Sequence, residues 1–102
     1  MPAKKIEWTA SASRELDKIY DYILKESLSV NIAKSIIMAI FQRTQQIQLM
    51  PLSGQLEPNL SKYSVRYIVE GNYKIHYKFQ DEIIIITDVF HTKRNPKKMK
   101  NN

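Results

Sequence analysis

An α+β fold is predicted by three features of the sequence. Two adjacent segments carry helical apolar periodicity, a connection containing proline and glycine follows them, and three apolar runs separated by turn residues close the chain. A short alternating segment precedes the helices. The predicted order is an N-terminal strand, an antiparallel two-helix hairpin and a three-stranded antiparallel meander. A chain of 102 residues has room for one core, so one domain over residues 1–102 is expected, with a basic C-terminal tail from about residue 95.

Residues 4–9 hold Ile6 and Trp8 at alternate positions, as in an edge strand with one buried face. Over 10–25, Leu16, Ile19, Tyr20, Ile23 and Leu24 form the stripe of an amphipathic helix, with Arg14, Glu15, Asp17, Lys18 and Asp21 on the other face. Residues 27–29 break that pattern, and Ser29 is a natural N-cap for a second helix running to about Leu49. Ala33, Ile36, Ile37, Ile40, Phe41, Thr44 and Ile47 line one side of it. Met50 precedes Pro51, and proline disfavours helical geometry in its predecessor.

Residues 51–62 contain Pro51, Gly54, Pro58 and Asn59 without a clear period, and read as an ordered connection with turns. Strands are predicted over 63–69, 73–79 and 83–90. Gly71 and Asn72 supply the positive backbone torsion of a tight hairpin, and residues 80–82 serve a second, less ideal one. A two-residue Gly71-Asn72 turn pairs Glu70 with Tyr73 and sets Arg66 across from Tyr77; a three-residue loop would set it across from His76. The run Ile83, Ile84, Ile85, Ile86 is apolar on both faces, as in a strand from the middle of a sheet. Burying each stripe residue contributes about 1.5–3 kcal/mol, so docking the helices on the sheet is the main stabilising term.

Composition excludes several classes. There is no cysteine, which removes disulfides, thiolate metal sites and thiol nucleophiles, and His76 and His91 are the only imidazoles. Neither a metal nor an organic cofactor is expected. No apolar run approaches the roughly 20 residues that span a bilayer, and the N-terminus lacks the pattern of a signal peptide, so no membrane partner and a cytoplasmic location are expected. The net charge is +6, but from His91 onward there are five basic residues and no acidic one, leaving eleven of the sixteen basic residues to face ten acidic ones. The tail carries the field, whether as a nucleic-acid or acidic-partner contact or as a solubilising terminus.

Four strings sharpen the reading: IEWTASASRELDKIYDYI at 6–23, MPLSG at 50–54, VRYIVEGNYKIHYKF at 65–79 and DVFHTKRNP at 88–96. In order and spacing they resemble the RelE/ParE superfamily of toxins from type II toxin-antitoxin systems, and GNYKIHY with HTKRNP resembles its ParE-like branch. The resemblance covers residues 6–96 or so. It implies the RelE/ParE toxin fold, growth arrest, and a cognate antitoxin protein as partner. It also implies one of two targets: DNA gyrase, poisoned by ParE-like members, or the ribosome with its mRNA, on which RelE-like members act as endoribonucleases. The ParE-like activity is favoured, because RelE-like members concentrate lysines and arginines in a concave site, whereas much of the basic excess here trails past Pro96.

RNA cleavage by internal 2′-hydroxyl attack needs a base, cations around the phosphate and an acid for the leaving oxygen. Arg66, Tyr77, His91 and Arg94 are the candidate catalytic set for that activity, to be united on one rim by the third and fourth strands. His91 is the natural proton shuttle, or a strand-end histidine bonded to a carbonyl or to Asp88. Arg66 can clamp a phosphate, or pair with Glu70 or an acidic antitoxin. Tyr73, Tyr77 and Phe79 alternate with Lys74, His76 and Lys78, suiting either a stacking surface for single-stranded RNA or one core-facing side of a strand. Arg66, Tyr73, Lys93, Arg94, Lys97 and Lys98 are the candidate nucleic-acid or target-binding residues. Trp8 is assigned to the core or to an antitoxin contact.

Overall fold

In the computed structural model, which describes residues 2–94, β1 (Lys5–Trp8) leads into α1 (Ala10–Ser27) and α2 (Val30–Leu49). β2 (Gln55–Leu56), a 3-10 segment (Pro58–Tyr63), β3 (Arg66–Glu70), β4 (Tyr73–Gln80) and β5 (Ile83–His91) follow. The α+β class and the strand, helical hairpin, meander order are as the sequence predicts. Thr9 caps α1 by accepting the Ala12 N–H at 3.0 Å, and Ser29 caps α2 by accepting that of Ile32 at 3.1 Å. The break between the helices is Leu28, at φ 55°, whose N–H returns to the Leu24 carbonyl. Among the described residues no helix is long and apolar enough to cross a membrane.

The sheet has five strands in the order β1-β5-β4-β3-β2, with β1 parallel to β5 and every other pair antiparallel. β5 is thus an inner strand and β1 an edge; Ile84 and Ile86 are buried in the core, while Ile83 and Ile85 on the opposite face are half-buried. The β3–β4 register follows the two-residue turn, with Glu70 opposite Tyr73 and Arg66 opposite Tyr77. Of the turn residues, only Gly71 has positive φ, the sign pattern of a type II′ turn, so Asn72 does not share the role expected of it. The second hairpin turns on Asp81 and Glu82, both at positive φ, as in a type I′ turn.

Two boundaries differ from expectation. The strand predicted from Tyr63 starts at Arg66, because Tyr63 ends the 3-10 segment and Ser64 turns the chain at φ 58°. The connection also contributes a fifth strand, the two residues of β2, because Leu56 and Gln55 come alongside Arg66 and Tyr67 and the Glu57 N–H donates to the Val65 carbonyl at 2.8 Å.

The core lies between the helical hairpin and one face of the sheet. Ala12, Leu16, Ile19 and Ile23 of α1 and Ala33, Ile40 and Ile47 of α2 meet Ile68, Ile75, Tyr77, Ile84, Ile86 and Val89. Trp8 packs against this core, tilted on Phe41 with ring centroids 5.3 Å apart.

Candidate functional site

Alternation along β4 divides the candidate residues between two faces. Tyr73, Ile75 and Tyr77 belong to the helix-covered face and Lys74, His76 and Lys78 to the opposite one, and cross-strand partners share a face. Across β5 the parity changes. Tyr77 pairs with Ile86 and His76 with Asp88, so Thr87 is the extra residue of a β-bulge. Beyond it, Val89 and His91 take the helix-covered side and Asp88 and Phe90 the opposite one.

At the end near the connection, the fully buried Tyr77 donates its hydroxyl to the Pro51 carbonyl at 2.7 Å and accepts the Gly54 N–H at 2.9 Å. Burial raises its pKa above the ordinary tyrosine value, against the smaller opposing effects of the Gly54 bond and of Arg66 and Arg43. Arg66 donates to the Gly54 carbonyl at 2.7 Å and to that of Leu52 at 3.3 Å. Both side chains fasten residues 51–54 to the sheet.

At the other end, Tyr73 faces His91 across the β4–β5 ladder, edge to face with centroids 5.2 Å apart. His91 is only 9% exposed, and its Nδ1 accepts the N–H groups of Lys93 at 3.0 Å and Arg94 at 3.2 Å. That places the ring proton on Nε2. Burial, together with the charges of Arg94 and Lys93, lowers its pKa below the ordinary 6.5, so the ring is neutral at neutral pH. The Arg94 guanidinium donates to the Tyr73 hydroxyl at 3.2 Å and lies 3.8 Å over the ring of Tyr22 on α1. These groups border a cleft of about 360 Å³ between α1 and the end of β5, lined also by Glu15, Lys18, Ile19, Val89 and Phe90.

The structure therefore brings Tyr73, His91 and Arg94 together and leaves Arg66 and Tyr77 apart from them. Four residues of β4 separate the two ends, roughly 13 Å at strand rise. The single rim expected from the sequence is two sites, because the hairpin register sets Arg66 and His91 beside opposite ends of the same strand. Lys93 is exposed beside the cleft. Lys97, Lys98 and the tail from about residue 95 lie outside the described residues.

The opposite face holds a cluster that the sequence reading missed. Glu57 bonds Lys74 at 2.6 Å and His76 Nε2 at 2.8 Å, while His76 Nδ1 lies 3.4 Å from Asp88. Lys74, His76 and Glu57 are all buried, and the Lys74 ammonium also sits 4.1 Å over the Tyr67 ring. Burial alone would raise the Glu57 pKa; the bonds and charges of Lys74 and His76 outweigh it and hold the carboxyl below its ordinary value. The available signal was the alternation itself, which puts Lys74 and His76 on one face; Asp88 joins them only through the bulge at Thr87. Glu57 gave none, since nothing in the connection's sequence brings it across the sheet. Among the described residues no three histidine, aspartate or glutamate side chains are arranged to hold a metal ion.

The model of a family described as the ParE toxin of type II toxin-antitoxin systems, parDE, matches residues 6–96. Among solved structures, a chain from the chromosomal ParDE toxin-antitoxin system of P. aeruginosa superposes with a TM-score of 0.68 at 18% identity, covering 85% of this chain and 94% of that one. A chain from the RelBE2 toxin-antitoxin complex of Mycobacterium tuberculosis superposes with a TM-score of 0.60 at 22% identity, covering 89% and 99% respectively. Both likenesses are of fold. Comparison with curated protein sequences finds no match.

Proposed function

Because the chain belongs to the ParE toxin family of type II toxin-antitoxin systems, we propose that it arrests growth by inhibiting DNA gyrase, in the cytoplasm, and is held inactive by a cognate antitoxin. One observation carries the choice of target. The acid-base set that RNA cleavage would need is divided, with Arg66 and Tyr77 engaged by the backbone of residues 51–54 about 13 Å along β4 from His91. What remains at the far end is a recognition surface of Tyr22, Lys93 and Arg94, with Arg94 held by the hydroxyl of the buried Tyr73; the basic residues Lys97 and Lys98 follow in sequence. A target-binding toxin needs such a surface and no proton shuttle.

Purified protein is expected to stop gyrase-driven supercoiling or to trap cleaved DNA at low excess, and Arg94→Ala to weaken that effect by about ten-fold, the worth of a well-placed guanidinium contact. Supercoiling that proceeds unaffected at toxin excess would refute the gyrase target. The grouping of His91, Tyr73 and Arg94 favours a second reading, a ribosome-dependent mRNA endoribonuclease. It predicts cuts in translated messages that His91→Ala abolishes. Supercoiling and message integrity followed in the same induced cells separate the two.

A further inference from the structure

We infer that the cleft between α1 and the end of β5 is a carboxylate site that receives an acidic side chain from a peptide segment of a protein partner. His91, although more than nine-tenths buried, has an Nε2–H with no partner among the described residues, while its Nδ1 is occupied by two backbone N–H groups. The ring is one of the groups that line the cleft. A donor this enclosed and without a partner among the described residues is a built feature of a site, unlike an exposed lysine.

The neighbouring groups favour an anion. Arg94 is held in place by the Tyr22 ring and the Tyr73 hydroxyl, which uses one of its five N–H donors and leaves others for a ligand. Lys18 adds an ammonium from α1, and Glu15, fixed by accepting the Val89 N–H at 3.0 Å, supplies one opposing charge. With His91 neutral, the four side chains sum to one positive charge and Lys93 beside the cleft adds a second, so an anionic side chain is favoured there.

Of the remaining walls, Phe90 turns its ring to the opposite face, against His76, and Ile19 and Val89 are apolar on the cleft side. These two suit the aliphatic neighbour that a peptide brings beside its acidic residue. A nucleic-acid strand brings further phosphates on either side, and Glu15 stands against them. The name of the peptide's owner, the antitoxin, rests on the toxin reading; the site itself does not.

The test is a titration of the isotopically labelled full-length chain, followed through the His91 ring nitrogens and the Arg94 side-chain signals. The probes are acetyl-Glu-Leu-amide, acetyl-Gln-Leu-amide, inorganic phosphate and a short oligothymidylate. The glutamyl peptide is expected to shift both sets of signals saturably and to bind about ten-fold more tightly than the glutaminyl one. His91→Asn keeps an acceptor at the δ position for the two backbone N–H groups but removes the ε donor. It and Arg94→Gln are each expected to weaken the glutamyl peptide by about ten-fold. Equal binding of the two peptides, tighter binding of phosphate or oligothymidylate at the same signals, or no response to any probe would each overturn the assignment. The readout involves neither gyrase nor ribosome, so a failed supercoiling experiment and a failed titration remain distinguishable.

Discussion

Tyr77 uses one hydroxyl to satisfy two backbone groups of the connection, and its neighbour Gly54 leaves the room for it. A Cβ at Gly54 would sit 2.5 Å from the Tyr77 hydroxyl oxygen, 2.7 Å from the Tyr77 ring carbon Cε1, which a phenylalanine retains, and 2.9 Å from the Tyr67 carbonyl. Tyr77→Phe strands the Pro51 carbonyl and the Gly54 N–H in a dry interior and is expected to cost roughly 2–3 kcal/mol, read from the urea midpoint at unchanged slope. Gly54→Ala is expected to cost about 1–3 kcal/mol through overpacking, and less when made together with Tyr77→Phe. Strictly additive costs would mean that the hydroxyl is not the obstruction. Glu57 is a counter-charge by the same kind of accounting. Glu57→Gln leaves the buried Lys74 ammonium without its carboxylate and is expected to destabilise the fold by about 3 kcal/mol.

Several of the elements are joined at places where the backbone takes positive φ, and these joints differ in how well the residue suits the turn. Gly71 suits its turn at no steric cost; Leu28, at φ 55° and 88% exposed, does not. Leu28→Gly is expected to stabilise the chain by about 1 kcal/mol, a rise of several degrees in the melting temperature, since the exposed side chain gives up little contact. A lower melting temperature would show that the Leu28 side chain contributes packing that its exposure conceals. The helical stripe and the Ser29 cap were legible because each depends on a local period or a local turn, and the Gly71-Asn72 hairpin was located while its register stayed open between two loop lengths. The bulge at Thr87 was not legible. Strict alternation from Ile84 and Ile86 would carry Asp88 into the core and His91 to the opposite face. The misplaced aspartate is the only sequence-level sign that the ladder must slip.

For the molecule as a whole, the two lowered pKa values act in one direction. In the folded state Glu57 and His91 both release their protons more readily than at their ordinary values of 4.5 and 6.5. The unfolded chain therefore binds more protons as the pH falls, and stability declines with it. Their contributions are complete above about pH 6.5. His91's is lost first, as the pH falls from 6.5 through its lowered folded value, and Glu57's follows below 4.5. Urea midpoints across this range are expected to show two successive declines, with His91→Asn removing the upper one and leaving the lower. A single decline in the native chain, below pH 4.5, would mean that His91 titrates alike in both states.

The order of strand, helices and meander, the Ser29 cap and the non-edge place of the isoleucine run were determined by the sequence itself, since each follows from side-chain period or turn chemistry acting over a few residues. The facing of Arg66 was narrowed to Tyr77 or His76, and the structure selects Tyr77. The tertiary structure decided which residues meet. The parallel pairing of β1 with β5, the return of Glu57 across the sheet to Lys74 and His76, the bulge that turns His91 toward α1, and the division of one expected site into two all join residues from separate elements. Such joins depend on how the helices and sheet share a single core, a constraint that no local pattern carries.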